Sequence, residues 1–171
     1  MPKIFKFIVA SMLLFTTAQL QARHGSLTHY DRLLLASCAV LEAASEGEKG
    51  MQAVLNVVYN RADGDIHRVI GVIARPKQFT ALNSATQARN PDYGPIIERA
   101  TSDPAFSDAY ALVVLMERGE LADITGGADH YHADYGETPY WTVDMEPTRK
   151  IGNHQFYRSD NDPALVALVT Q

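Results

Sequence analysis

The chain reads as an α+β domain, with helices first and a small antiparallel sheet at its C-terminal end. Three observations predict this. Residues 28–61 and 104–118 carry apolar side chains at helical spacing. From residue 128 the spacing turns to strand-like alternation. Between these regions lie turn-forming Gly, Pro, Asn and Asp, with no internal repeat, low-complexity tract or linker to a second domain. At 171 residues, 46% hydrophobic and 20% charged, the chain suits one core-forming domain with a short appendage.

The appendage is the N-terminus. MPKIFK carries Lys3 and Lys6, residues 7–18 are uncharged and mostly apolar, and Ala18 and Ala22 offer small residues for cleavage. This is a secretory signal pattern, so residues 1–22 are expected to be a signal peptide and 23–171 the mature domain. Twelve residues fall short of the roughly 20 that span a bilayer. An uncleaved anchor or a buried first helix is the alternative. Removing Lys3 and Lys6 takes the formal net charge from −5 to −7. An acidic chain without a basic run excludes nucleic acid and anionic membrane surfaces as expected partners. Export then points to the periplasm or the cell exterior, with no stable membrane association after cleavage. A lone cysteine, Cys38, forms no intramolecular disulfide and reads as a small buried hydrophobe.

The elements follow in order. Thr28 with Asp31 has capping-box spacing and starts a helix to about Ser45. Gly47 interrupts it. Met51, Val54, Leu55 and Val58 define a second helix over 48–61, and residues 62–65 form a turn. A short helix is expected over 66–74, stopped by Pro76. Residues 76–95 read as an extended polar loop, and 96–101 as another short helix. Asp103 as N-cap and Pro104 as first helical residue open a helix that ends at Gly119. Residues 128–135, 140–143 and 150–157 are the strand candidates.

One residue in this scheme calls for a chemical explanation. The run LLLASCAVLEAA (33–44) contains only two polar side chains, Ser37 and Glu42. On a helix Glu42 stacks over Cys38 and Ala39, with Glu46 one turn on. A carboxylic acid in apolar surroundings keeps its proton more readily, because the charged form loses solvation. That is the property a general acid needs to cleave a glycosidic bond. The plainer explanation is that Glu42 occupies the solvent-facing strip of a mostly buried helix. The helix alone does not decide between them.

Four blocks, in order, bring in a resemblance. LEAASEGEKGMQAVLNVVYNR (41–61) resembles the opening motif of the SleB-type cell wall hydrolases, the spore-cortex-lytic enzyme family, with Glu42, Gly47-Glu48, Gly50, Gln52 and Asn60-Arg61. VIGVIARPKQFTAL (69–82), TGGADHYHADYGETPYW (125–141) and KIGNHQFYR (150–158) are similar to its later segments.

The resemblance implies a mainly helical, lysozyme-like domain that cuts peptidoglycan between N-acetylmuramic acid and N-acetylglucosamine, as a lytic transglycosylase does. It implies Glu42 as the acid, with Glu46 and Glu48 as lesser candidates, and requires no metal or other cofactor. A hydrolytic muramidase would instead need a second carboxylate, for which Asp129, Asp134 and Glu137 are available. A catalytically inactive wall-binding protein is the third reading. In a sugar cleft, Phe79, Tyr131, Tyr140 and Trp141 would offer ring faces, while Asn60, Gln78 and His132 would hydrogen-bond N-acetyl and hydroxyl groups. Core packing is the competing role for the aromatics. His130 and His132 share a strand face, and with His154 and Asp134 would make a four-ligand set. That pattern lacks a supporting helix motif, and no metal is expected. The expected partner is the glycan strand, bound by a monomer.

Overall fold

The computed structural model describes residues 27–135 and 137–159. The expected signal segment lies outside them. Helix α1 spans His29–Ala43, a 3-10 turn covers Ala44–Glu46, and α2 spans Gly47–Arg61. Short helices α3 (Val69–Ile73) and α4 (Asn83–Thr86) follow, then α5 (Gly94–Thr101) and α6 (Phe106–Glu117). Strands β1 (His130–Ala133), β2 (Met145–Ile151) and β3 (His154–Ser159) form one antiparallel sheet in the order β1-β3-β2. The α+β expectation holds.

The capping box at Thr28 is present in full: its side chain accepts from the Asp31 N–H, and Asp31 accepts from the Thr28 N–H. Helix α1 is apolar because it is enclosed. Leu34, Leu35, Cys38 and Ala39 pack among α2 and α6 side chains such as Leu55 and Val113, all nearly inaccessible. Ser37 survives there because its hydroxyl donates to the Leu33 carbonyl at 2.7 Å. Arg32 grips Glu117 with two hydrogen bonds of 2.7 and 2.9 Å, and the Leu27 N–H donates to the same carboxylate. The start of α1 is thereby fastened to the end of α6.

Helix α2 has two buried faces. Met51, Val54, Leu55 and Val58 join the helical core, while Ala53 and Val57 meet Ala128 and Phe156 of the sheet side. A full Phe burial contributes about 2–3 kcal/mol, so Phe156 is the main apolar tie between sheet and helices. A polar tie reinforces it. The Glu46 carboxylate accepts from the N–H and side-chain amide of Asn153, both at 2.9 Å, at the β2–β3 turn. The backbone hydrogen bond, then the side-chain one, hold its carboxyl below its ordinary range. Gly152 beside it has φ +54°, and a Cβ there would sit 1.8 Å from a Glu46 oxygen.

Several expected boundaries shift. Helix α1 ends two residues early, in the 3-10 turn. The helix expected over 66–74 shrinks to α3, and the expected loop holds α4 and a 3-10 turn, Thr80–Leu82. Asp103 accepts from the Ala105 N–H at 2.8 Å, but this closes a turn and α6 begins at Phe106. Residues 140–143 are no strand: Tyr140–Asp144 is a 3-10 turn, because the Thr142 N–H and hydroxyl both bend back to the Pro139 carbonyl. The strand expected over 150–157 is a hairpin corner, since Gly152 and Asn153 reverse the chain. Strand β2 bulges between Pro147 and Lys150, next to the residue with no N–H to give the ladder.

Candidate active site

Glu42 lies in the last turn of α1, half-buried. Its Oε1 accepts from the Ala81 N–H at 2.7 Å, and its Oε2 from the Tyr131 hydroxyl at 3.0 Å. Three elements therefore meet at one carboxylate: α1, the Thr80–Leu82 turn and β1. Cys38 is fully buried; burial, then the Glu42 charge, push its thiol well up, so it is no nucleophile. Burial pushes the Tyr131 phenol well up, the Glu42 charge adds to this, and the ring remains a hydroxyl donor. Tyr131 is held between the rings of Phe156, stacked at 5.5 Å, and His154, edge-on at 5.3 Å.

Two adjoining recesses, of about 470 and 370 Å³, share Glu42 and Thr80. The larger holds Arg61, Gln78, Tyr131, His132, Tyr135, Trp141 and His154; the smaller holds Leu41, Ala81, Ser84 and Arg99. Glu42 thus stands where a groove passes from one to the other, and it is the only carboxylate among the described residues that line either.

The expected site residues separate into two groups. Gln78 and Trp141 line the groove, with His132 and Tyr131. His132 is committed, however. Its Nδ1–H donates to the Ala133 carbonyl at 2.8 Å, and its Nε2 accepts from the Tyr157 hydroxyl at 3.1 Å. It presents a ring, stacked on Tyr157 and edge-on to Trp141, and no free nitrogen. Tyr131 lines the recess and its hydroxyl is committed to the Glu42 carboxylate. Asn60 and Phe79 stand outside the groove. The Asn60 amide donates to the Ala128 carbonyl at 2.9 Å and holds the Gly126-Gly127 turn, because a helix-end amide is close enough to satisfy that loop. Phe79 is 1% exposed and packs in the core. Tyr140 is 89% exposed and lines neither recess.

Arg61, which the sequence offers only as half of the Asn60-Arg61 pair closing α2, lines the larger recess. Its Nε donates to the Asp129 carbonyl at 2.5 Å, its Nη1 to Gln78 Oε1 at 3.2 Å, and its guanidinium lies 5.2 Å from the centre of the Phe79 ring. Burial lowers its pKa, although a guanidinium stays charged. The Asn60-Arg61 pair in the quoted motif was the signal for it.

The other acidic candidates are occupied elsewhere. Burial opposes the charge on Asp129, but hydrogen bonds from His130 and from the Ser159 hydroxyl and N–H outweigh it and hold its carboxyl at about 2. Asp134 pairs with Lys150 and Glu137 is exposed. Glu46 is bound to Asn153, and Glu48 is exposed. No group of three or more His, Cys, Asp or Glu side chains suited to a metal occurs among the described residues.

The model of the cell wall hydrolase family matches residues 45–157, well over half the chain. The chain belongs to the cell wall hydrolase family. Glu42 lies just before the matched segment, and the groove's other wall lies within it. Two solved structures are similar to this cell wall hydrolase. One is the catalytic domain of the germination-specific lytic transglycosylase SleB from Bacillus anthracis, 25% identical, with TM-score 0.58 over 78% of this chain and 98% of that one. The other is the catalytic domain of Bacillus cereus SleB, 26% identical, with TM-score 0.57 over 78% of this chain and 94% of that one. Among curated proteins nothing matches.

Proposed function

We propose that this cell wall hydrolase cuts peptidoglycan glycan strands between N-acetylmuramic acid and N-acetylglucosamine as a lytic transglycosylase, with Glu42 as acid and then base. The observation that carries the reading is the carboxylate of Glu42 at the junction of the two recesses, the only one that lines them among the described residues. A strand laid along the groove brings its bridging oxygen to Glu42. The acid gives its proton to that oxygen as the bond to the muramyl C1 breaks. The Ala81 N–H and Tyr131 O–H stabilise the carboxylate that forms. The carboxylate then takes the proton of the muramyl C6 hydroxyl, whose oxygen bonds to C1 and closes a 1,6-anhydro ring. Glu42 ends protonated, as it began, and no water is consumed. A hydrolytic route would need a second group to activate water, and no second carboxylate lines the groove among the described residues.

Gln78 supports the sugar on one side. Its amide oxygen is taken by Arg61, which leaves its NH₂ to donate to a hydroxyl or N-acetyl oxygen. Trp141 and Tyr135 supply ring faces. The reading includes export to the periplasm or cell exterior, where the strands are, and the pattern of residues 1–22 supports it. No helix among the described residues is long and apolar enough to cross a membrane.

The test is mass spectrometry of purified peptidoglycan digested by the full chain and by Glu42→Gln. Anhydro-muropeptides from the first and none from the second are expected. Reducing-end products would replace transglycosylation by hydrolysis. Undiminished activity in Glu42→Gln would move the acid to another residue, and a folded but inactive parent would reduce the reading to binding.

A further inference from the structure

The smaller recess differs in character from its neighbour. Among the described residues it has no aromatic ring, and its only charged side chains are Glu42 and Arg99. Arg99 is exposed on α5 and makes no ion pair among the described residues. The stretch that supplies Thr80, Ala81 and Ser84 is also basic. Residues 75–91 include Arg75, Lys77 and Arg89 and no Asp or Glu, in a chain of net charge −5. All three are exposed and outside every ion pair among the described residues. Arg75 comes close enough to Arg61 to disfavour the latter's charge. Of the nearby acids, Asp92 accepts from the Gly94 N–H at 2.9 Å, and Glu98 is exposed on α5 without lining the recess.

A neutral sugar is bound by amides, hydroxyls and rings, and of the lining residues described, the side-chain amide and the rings lie in the larger recess. A guanidinium that lines the same recess as the acid, without an ion pair among the described residues, suits an anionic ligand, and the chain segment that supplies Thr80, Ala81 and Ser84 is itself basic. In peptidoglycan the anionic part is the stem peptide, which hangs from the lactyl group of each muramyl residue and bears free carboxylates. We propose that the smaller recess takes the stem peptide of a muramyl residue bound beside Glu42, and that Arg99 holds one of its carboxylates. This rests on the peptidoglycan reading above and adds a substrate class to it: strands whose stems carry free carboxylates.

The experiment compares two substrates, peptide-bearing strands and the same strands with their stem carboxylates converted to amides. An arginine–carboxylate pair gives roughly a tenfold or greater preference in kcat/KM for the free acid, expressed mainly in KM. Arg99→Ala and Arg99→Gln should bring that ratio close to one, while Arg99→Lys should retain part of it. A ratio in Arg99→Ala equal to the parent's, or a parent with no preference, overturns the proposal. Binding of the same two substrates to full-length Glu42→Gln provides a second measurement. If the parent cleaves neither, transglycosylation fails, yet the binding ratio with and without Arg99→Ala still decides the role of Arg99.

Discussion

Glu42 is held by two donors from different elements, one a backbone N–H and one a side-chain hydroxyl. The Tyr131 hydroxyl is the accessible one, since Ala81 donates from its backbone. A hydrogen bond to a charged group is worth about 1.5–3 kcal/mol, so Tyr131→Phe should lower kcat by roughly 10–100-fold. The ring's packing on Phe156 survives in Phe, and the melting temperature should change little. Steady-state kinetics beside a thermal melt separate the two effects; a large fall in melting temperature would mean that the hydroxyl is structural. Cys38, directly beneath, should resist thiol reagents until the protein unfolds, which a titration with and without denaturant reads directly. Asp129 gives a pH signature. Its carboxyl is held at about 2 when folded, below the ordinary Asp value of about 3.9. The stability it contributes is therefore complete above pH ~4 and is lost as pH falls towards ~2. The Asp129 side chain is only partly enclosed, so solvent screens the charge and the effect is modest. Urea melts between pH 2 and 7 should show a flatter acid limb for Asp129→Asn than for the parent.

At the scale of elements, the β2–β3 turn is fastened to the α1–α2 junction by one carboxylate. Strand β3 carries Tyr157 and His154, which in turn fix His132 and Tyr131, so the fastening reaches the groove. Glu46→Ala should speed amide exchange at Asn153 and nearby hairpin positions while leaving α1 and α6 protected. Gly152→Ala should be destabilising for two reasons: a left-handed φ, costing about 1–2 kcal/mol, and a Cβ that meets the Glu46 carboxylate. The second cost disappears when Glu46 is already Ala. The double variant should be less destabilised than the sum of the singles, and a thermodynamic cycle from denaturant melts checks it. Additive effects would mean that the Glu46 side chain simply moves aside.

For the whole molecule, the groove exists because a sheet leans on a helical body. Phe156 is the central contact of that junction, packed with Ala53, Val57 and Ala128. Phe156→Ala should cost about 3–5 kcal/mol by cavity formation, a large fraction of the stability of a domain of this size. Activity should vanish with the fold, and calorimetry would show one lowered transition. A sheet that melted separately, at a lower temperature than the helices, would contradict a single cooperative core.

Local sequence was not enough for the places of α4, β2 and β3, but it was enough for the succession of helices then sheet, the capped start of α1 and one carboxylate in an apolar run. These are local matters: periodicity, capping chemistry and composition act over a few residues. The sequence also carried the family, because four blocks in order resemble segments of the cell wall hydrolases, and the family model spans residues 45–157. The tertiary structure alone decided which side chains meet. Asn60 and Phe79 lie in motif blocks as prominent as Gln78, yet one braces a turn and the other fills the core. Tyr131 became the donor to Glu42 because β1 runs antiparallel to β3 and places its ring against Phe156. Arg61 entered the groove because the end of α2 meets the Asp129 carbonyl 68 residues away. Such contacts depend on register and on the packing of distant segments, and no local spacing along the chain encodes the direction in which a half-buried side chain will turn.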